Sequence, residues 1–143
     1  MKTLSTWAVA VLAVTVMAGC ATGGAGGNEK ANIQKTLDAW KQGVEAKNVD
    51  QIVACYADDF KHPEYGDKAG FKSFINDMVG QGAFDGAKVN TEKTVVTIDP
   101  ADKSTATAGP VDLTASFGGA GLTFTLKKAG DKWSFTNMTV EQY

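Results

Sequence analysis

The sequence predicts an α+β domain in which three N-terminal helices pack on the concave face of one curved antiparallel sheet. Two observations carry this expectation. Between residues 28 and 79 the apolar side chains recur at helical spacings of three and four, whereas beyond Gly86 the period drops to two and turn-forming clusters separate the apolar runs. Helices first and a meander afterwards give segregated layers rather than alternating βαβ units.

Ile33, Leu37, Trp40 and Val44 follow one another at spacings of four, three and four, which puts them on one helix face. Asn28 is placed to cap that helix, which runs to about Lys47 and stops at Asn48. Asp50 is placed to cap a short second helix through Ile52, Val53 and Tyr56, ending near Asp58-Asp59. The next segment, Phe60-Lys61-His62-Pro63, is extended, because a proline disfavours helix at the residue before it. A third helix spans about Lys68 to Val79, with Phe71, Phe74, Ile75 and Met78 on one side and Gly80 and Gly82 at its exit. Strands are expected at Lys88–Ile98, Ser104–Phe117, Leu122–Lys128 and Lys132–Val140. Asp99 to Asp102, Gly118 to Gly121 and Ala129-Gly130-Asp131 connect them as hairpins. Gly109-Pro110 marks a bulge or bend in the second strand, and Asn137 shifts the alternation that Trp133 and Phe135 begin.

Composition removes several function classes. All 14 basic side chains are lysine, set against 16 acidic ones for a formal net charge of −2. With no guanidinium fork and no basic excess, the chain lacks the electrostatic footprint of a nucleic-acid binder. A single histidine with scattered carboxylates makes no metal-ligand spacing, so no metal is expected. No cofactor is expected either. Gly118-Gly119-Ala120-Gly121 lies between two strands with no helix N-terminus behind it, so it is a hairpin loop rather than a phosphate cradle. Cys55, among Ile52, Val53 and Tyr56, is a small buried hydrophobe with no intramolecular disulfide partner.

The N-terminus carries its own signal. A basic start at Lys2 precedes an apolar stretch from Trp7 to Val16, then Met17-Ala18-Gly19-Cys20. The apolar core falls short of the roughly 20 residues a spanning helix needs. The segment resembles a bacterial lipoprotein signal peptide. That resemblance implies cleavage before Cys20, fatty acylation of Cys20 with palmitate-type chains, and the lipid bilayer as a partner. It places the domain in the bacterial cell envelope, and Ala21 after the cysteine fits sorting to the outer membrane, facing the periplasm. The expected organisation is a signal peptide over 1–19, a Gly/Ala/Thr-rich flexible tether over 20–27, and one domain over 28–143. Removing 1–19 leaves 124 residues, enough for one core and too few for two.

Within the domain, the run from Asn48 to Phe60 and the closing Gly130-Asp131-Lys132-Trp133-Ser134-Phe135 resemble the nuclear transport factor 2-like superfamily. It includes SnoaL-like cyclases, ketosteroid isomerase and scytalone dehydratase. The resemblance covers nearly all of Asn28 to Tyr143 and implies a cone-shaped domain with a pocket between helices and sheet. One scaffold hosting enzymes, binders and interaction modules does not fix an activity. Isomerase chemistry needs a carboxylate base facing a tyrosine hydroxyl and a protonated aspartic acid. Aligned on the family, the tyrosine position falls on Trp40, the acid position at Leu122 and the base position on His62 or Glu64. With two of the three parts altered, steroid-type isomerisation is not expected and no catalytic residue is assigned, His62 and Glu64 remaining the candidates. The expected function is a periplasmic lipoprotein whose cone binds a small, mostly apolar molecule. Its candidate ligand-binding residues are Trp40, Tyr56, His62, Glu64, Tyr65, Phe74, Met78 and Phe124. Two alternatives stand beside it. One is an isomerase or dehydratase using His62 or Glu64 as base. The other is an interaction domain forming a homodimer through a sheet face lined by Thr105, Thr107, Thr114, Thr123 and Thr125.

Overall fold

The computed structural model describes residues 26–143. The signal segment, Cys20 and the tether up to Ala25 lie outside the described residues. Three α-helices and seven β-strands follow in the order α1 (Gly26–Glu45), α2 (Val49–Ala54), β1 (Lys61–His62), β2 (Gly66–Asp67), α3 (Lys68–Gly80), β3 (Lys88–Asn90), β4 (Val95–Ile98), β5 (Thr105–Ala115), β6 (Gly118–Ala129) and β7 (Lys132–Gln142). The helices cover one face of the curved antiparallel sheet, an α+β architecture with a single core.

Helix α1 buries the stripe Ile33, Leu37, Trp40 and Val44 that its spacing dictates. It starts two residues before Asn28, which therefore sits within the first turns rather than capping them. Its end comes at Glu45. Lys47 takes a left-handed φ of 56°, and the Asn48 N–H closes on the Gly43 carbonyl at 2.8 Å. Asn48, expected only as a stop, is also the cap of α2, its side chain accepting the Gln51 N–H at 3.1 Å. Asp50 does not cap α2. It lies in the first turn and pairs with Lys72 of α3 at 2.9 Å. Asp67 caps α3 by accepting the Gly70 N–H at 2.9 Å, which holds its carboxyl below the usual range.

The sheet order is β3-β5-β6-β7, with β4 beside β5 on the same edge as β3. The single strand expected over Lys88–Ile98 is thus two. Residues 91–94 turn out of the ladder between the Asn90↔Asp112 and Val95↔Gly109 pairs. The cause lies on the partner strand: Pro110 has no N–H to offer, and its carbonyl instead accepts the Thr94 hydroxyl at 2.7 Å. On the other side of β5 the register with β6 shifts between Ala108 and Val111, the bulge that Gly109-Pro110 predicts. Only glycine fits there, since a Cβ on Gly109 would come within 3.0 Å of the Thr123 Cα. In β7 the extra residue is Thr136, next to the predicted Asn137. Inward alternation through Trp133 and Phe135 resumes one place later at Met138.

The predicted loop Gly118 to Gly121 belongs to β6, and the turn is the two residues Ser116-Phe117. Gly118, at φ 119°, serves that turn, but Gly119 and Gly121 do not. The Tyr143 ring lies across them, so that a Cβ on Gly119 or Gly121 would meet it at 3.2 or 3.3 Å. The Tyr143 hydroxyl donates to Asp112 at 2.7 Å. Strand β2, pairing with β1 around Pro63-Glu64-Tyr65, was not expected from the sequence.

Candidate functional site: an apolar cavity at the wide end of the cone

Inward side chains differ along the sheet. Toward the β6–β7 turn they are Phe124, Leu126, Trp133 and Phe135, which fill the space beneath the helices; Phe124 and Phe135 stack at 4.1 Å. Toward the β5–β6 turn they are Leu113, Ala120, Leu122, Met138 and Val140. These side chains fill the space beneath the helices incompletely, and a cavity of about 180 Å³ remains.

Helix α1 contributes Trp40 and Val44 to its wall, the α2 segment Ile52 and Tyr56, and α3 Phe71, Phe74, Ile75 and Met78. Phe84 and Tyr65 close two sides. Phe117 and Val140, each 40% exposed, mark the opening with Gln142. A half-open, mostly apolar, preformed concavity with few polar groups is a usual form of a small-molecule site.

Tyr56 and Trp40 bring donors to the wall, whose other polar side chains are Tyr65 and Gln142. The Tyr56 hydroxyl, fully buried, donates to the Met138 sulfur at 3.4 Å, and burial pushes its pKa far up, so it stays a phenol. The Trp40 indole N–H has no hydrogen-bond partner among the described residues, although Trp40 is only 4% exposed. It lies near the Tyr56 oxygen, close enough to oppose part of the upward shift, but not in hydrogen-bonding geometry. The indole meets Phe124 edge to face at 5.1 Å, and a ring face is at best a weak acceptor. Leaving such a donor buried and unmet costs about 1–3 kcal/mol.

Of the eight residues proposed from sequence, Trp40, Tyr56, Tyr65, Phe74 and Met78 line this cavity. Phe124 does not: it lies beneath Trp40, fully enclosed in the packed end. His62 and Glu64 do not either. They face a separate shallow depression with Pro63 and Asn137 to Val140. The reason is local. Tyr65 is sandwiched between His62 (4.5 Å) and Phe74 (4.3 Å), so its ring separates the imidazole from the cavity. The Glu64 N–H donates to His62 Nδ1 at 3.1 Å, which folds the loop outward. Burial, and the Glu64 carboxylate second, raise the Tyr65 phenol pKa.

The other candidates have structural partners. Cys55 is buried with its Sγ near the Gln51 and Thr36 carbonyls, and burial pushes its thiol up to about 11. Asp58 pairs with Lys68 at 3.1 Å. Among the described residues no group of three His, Cys, Asp or Glu side chains converges, and no helix is long and apolar enough to cross a membrane. Sequence reasoning missed Leu113, Met138 and Val140 as cavity wall, although they lie on the inner face of their strands, whereas Leu122 lies in the wall at the pocket position the family alignment gave it. It also missed Glu29, whose carboxylate accepts the Trp133 indole N–H at 2.7 Å and a hydrogen bond from Lys128.

No protein-family model matches the chain, and no curated protein matches it in sequence. Solved structures do match in shape. A protein of unknown function with a cystatin-like fold from Nostoc punctiforme aligns with a TM-score of 0.64 at 14% identity, over 80% of this chain and 90% of that one. An NTF2-like protein of unknown function from Shewanella baltica gives 0.61 at 15% identity, over 80% and 94%. A scytalone dehydratase-like protein from Novosphingobium aromaticivorans gives 0.60 at 12% identity, over 80% and 84%. The chain therefore has the nuclear transport factor 2-like, or cystatin-like, fold. At these identities the likeness is one of fold alone.

Proposed function

We propose that the protein is a lipid-anchored envelope domain that holds one small, mostly apolar molecule in the wide end of its cone. The observation that carries the binding part is the preformed cavity of about 180 Å³, walled by aliphatic and aromatic side chains and open beside Phe117 and Val140. An engineered apolar cavity of about 150 Å³ in another protein stays dry and takes up benzene, so this volume suits a molecule of one ring or a short branched chain. The anchoring part is supported by the Met17-Ala18-Gly19-Cys20 run behind its short apolar core. A catalytic reading finds less support, because His62 and Glu64 lie outside the wall, behind Tyr65.

Native mass spectrometry of the protein taken from bacterial membranes tests both parts. A bound small molecule in the wild type, lost in Ala120→Phe while the fold is kept, supports the binding reading. An empty protein that also takes up no toluene counts against it. Acyl mass on Cys20, with Cys20→Ser recovered in the soluble fraction, supports the anchor, and an unmodified cysteine removes it.

A further inference from the structure

We infer that the protein stands on the packed end of its cone with the cavity mouth turned away from the anchoring membrane, so that the ligand enters from the aqueous phase and not from that bilayer. The inference deepens the anchored-binder reading and rests on it. Contacts along the first helix place the two ends. Helix α1 begins at the packed end, because Glu29 in its first turn accepts the Trp133 indole N–H at 2.7 Å beside the β6–β7 turn. It finishes at the wide end, where Val44 lines the cavity and the Glu45 carboxylate accepts the Val89 N–H at 3.0 Å. The mouth is at that same end, rimmed by Phe117 of the β5–β6 turn and by Val140 and Gln142 of β7.

Element lengths set the distance between them. Helix α1 has 20 residues, so at about 1.5 Å per residue its ends lie about 30 Å apart. Strand β6 runs from one turn to the other with 12 residues, at least as far by its own rise of about 3.3 Å. The tether is shorter. From Cys20 to Gly26 the chain takes six steps, and at about 3.3–3.6 Å per residue even full extension spans only about 20 Å. Phe117 and Val140, each 40% exposed, form an apolar rim of the kind that marks membrane-docking surfaces. Pressing that rim onto the anchoring bilayer lifts the start of α1 about 30 Å above it, about 10 Å beyond the reach of the tether. Charge does not set the posture instead. The exposed groups around the packed end are Asp99, Asp102 and Asp131 against Lys103, Lys127 and Lys132, which cancel, the two turns that carry them being joined by the Lys128 N–H to the Ser104 carbonyl. The cavity volume agrees with entry from water: about 180 Å³ suits a molecule of one ring, which crosses water unaided, rather than a long acyl chain drawn out of lipid.

The test uses the acylated full chain, purified from bacterial membranes and reconstituted in vesicles of phosphatidylethanolamine and phosphatidylglycerol that carry a rhodamine headgroup acceptor. Cys20 is blocked by its acyl chain and Cys55 is buried, so fluorescein maleimide added outside the vesicles marks one introduced thiol. That thiol is Asp131→Cys at the packed end or Phe117→Cys at the mouth. Energy transfer to the lipid is expected to be several-fold stronger from Asp131→Cys. Inserting about 30 Gly/Ser residues after Gly24 gives the tether roughly 30 Å of root-mean-square reach, and the two transfers should then converge. Equal transfer with the natural tether, or stronger transfer from the mouth, overturns the inference and leaves the anchored binder standing. A difference that survives the insertion also overturns it, since something other than the tether then sets the posture. A protein that carries no acyl chain and does not stay on the vesicles removes the anchor reading and the inference together.

Discussion

The two ends of the cone are built from the same helices and strands but are finished differently. At the β6–β7 end, large rings fill the space and the polar atoms are paired: Glu29 on α1 reaches across to Trp133 and Lys128 and fastens helix to sheet. At the β5–β6 end, smaller inward residues leave a cavity, Phe117 and Val140 stay partly exposed, and the Trp40 donor is unmet. One end spends its sequence on stability. The other gives up packing and one hydrogen bond, the kind of local concession that natural sequences make at functional sites.

Truncation at the closed end breaks this comparison most severely. Trp133→Ala is expected to destabilise the domain by about 3–5 kcal/mol, since it leaves a large cavity in a packed region. It also strips Glu29 of its indole donor. Leu122→Ala at the open end enlarges a space that already exists and loses fewer neighbours, so its cost belongs near 2 kcal/mol, the low end for Leu→Ala. Chemical denaturation of both variants measures the gap. Equal losses would mean that the cavity wall is as tightly packed as the core.

Enlarging side chains should give the mirror image. Ala106, buried opposite Leu126, has no room for a ring, and Ala106→Phe is expected to cost about 1–3 kcal/mol or more by overpacking. Ala120 borders the cavity, so Ala120→Phe should shift the denaturation midpoint little while abolishing uptake of toluene. A loss of stability in Ala120→Phe as large as in Ala106→Phe would show that the cavity cannot accept added volume.

The two ends were not equally legible in the sequence. Helix stripes and strand alternation announced the layers, because burial on one face imposes periods of 3.6 and 2; Trp133 and Phe135 followed from that alternation, whereas Phe124 of the same end was taken for a ligand contact and is core. The open end depends on long-range partners that a local pattern does not contain. Val89 and, past the break, Val96 and Ile98 face inward with opposite parity, so the alternation shifts at 91–94, but the cause is visible only when Pro110 is seen opposite. The glycines at 118–121 read as a turn because the ring that covers two of them comes from Tyr143. Likewise His62 and Glu64 looked like pocket residues by alignment. Which side of the wall they occupy is settled by how Tyr65 inserts between His62 and Phe74.

A subtler contrast concerns pH. The hydrogen bonds from Lys128 first, and then from Trp133, hold the Glu29 carboxyl below the usual carboxylate range. The unfolded chain therefore binds the proton more readily than the folded one. The stability this group contributes is complete above the unfolded carboxylate value, near 4.3, and is lost as pH falls through the lower folded value. Glu29→Gln should flatten the decline in stability between neutral pH and about pH 3. It should not remove the decline, because Asp67 and Asp102 are lowered as well, by the Gly70 N–H and by Ser104. Acid denaturation curves that superimpose for the two proteins would mean the fastening at the closed end adds nothing.

The smallest expected effect is at His62, and it is informative because it is small. The imidazole stacks on the face of Tyr65 turned away from Phe74, so that ring stands between it and the cavity, although the depression it lines also borders Met138 and Val140. His62→Ala is therefore expected to leave affinity for toluene within roughly twofold of wild type, as for a group that shares no contact with the ligand. Tyr65→Ala removes the wall itself and should weaken toluene binding clearly. If His62→Ala weakens binding as much as Tyr65→Ala, the histidine reaches the ligand. The open end would then hold a titratable group beside its donors, and the case for proton-transfer chemistry at this site would have to be reopened.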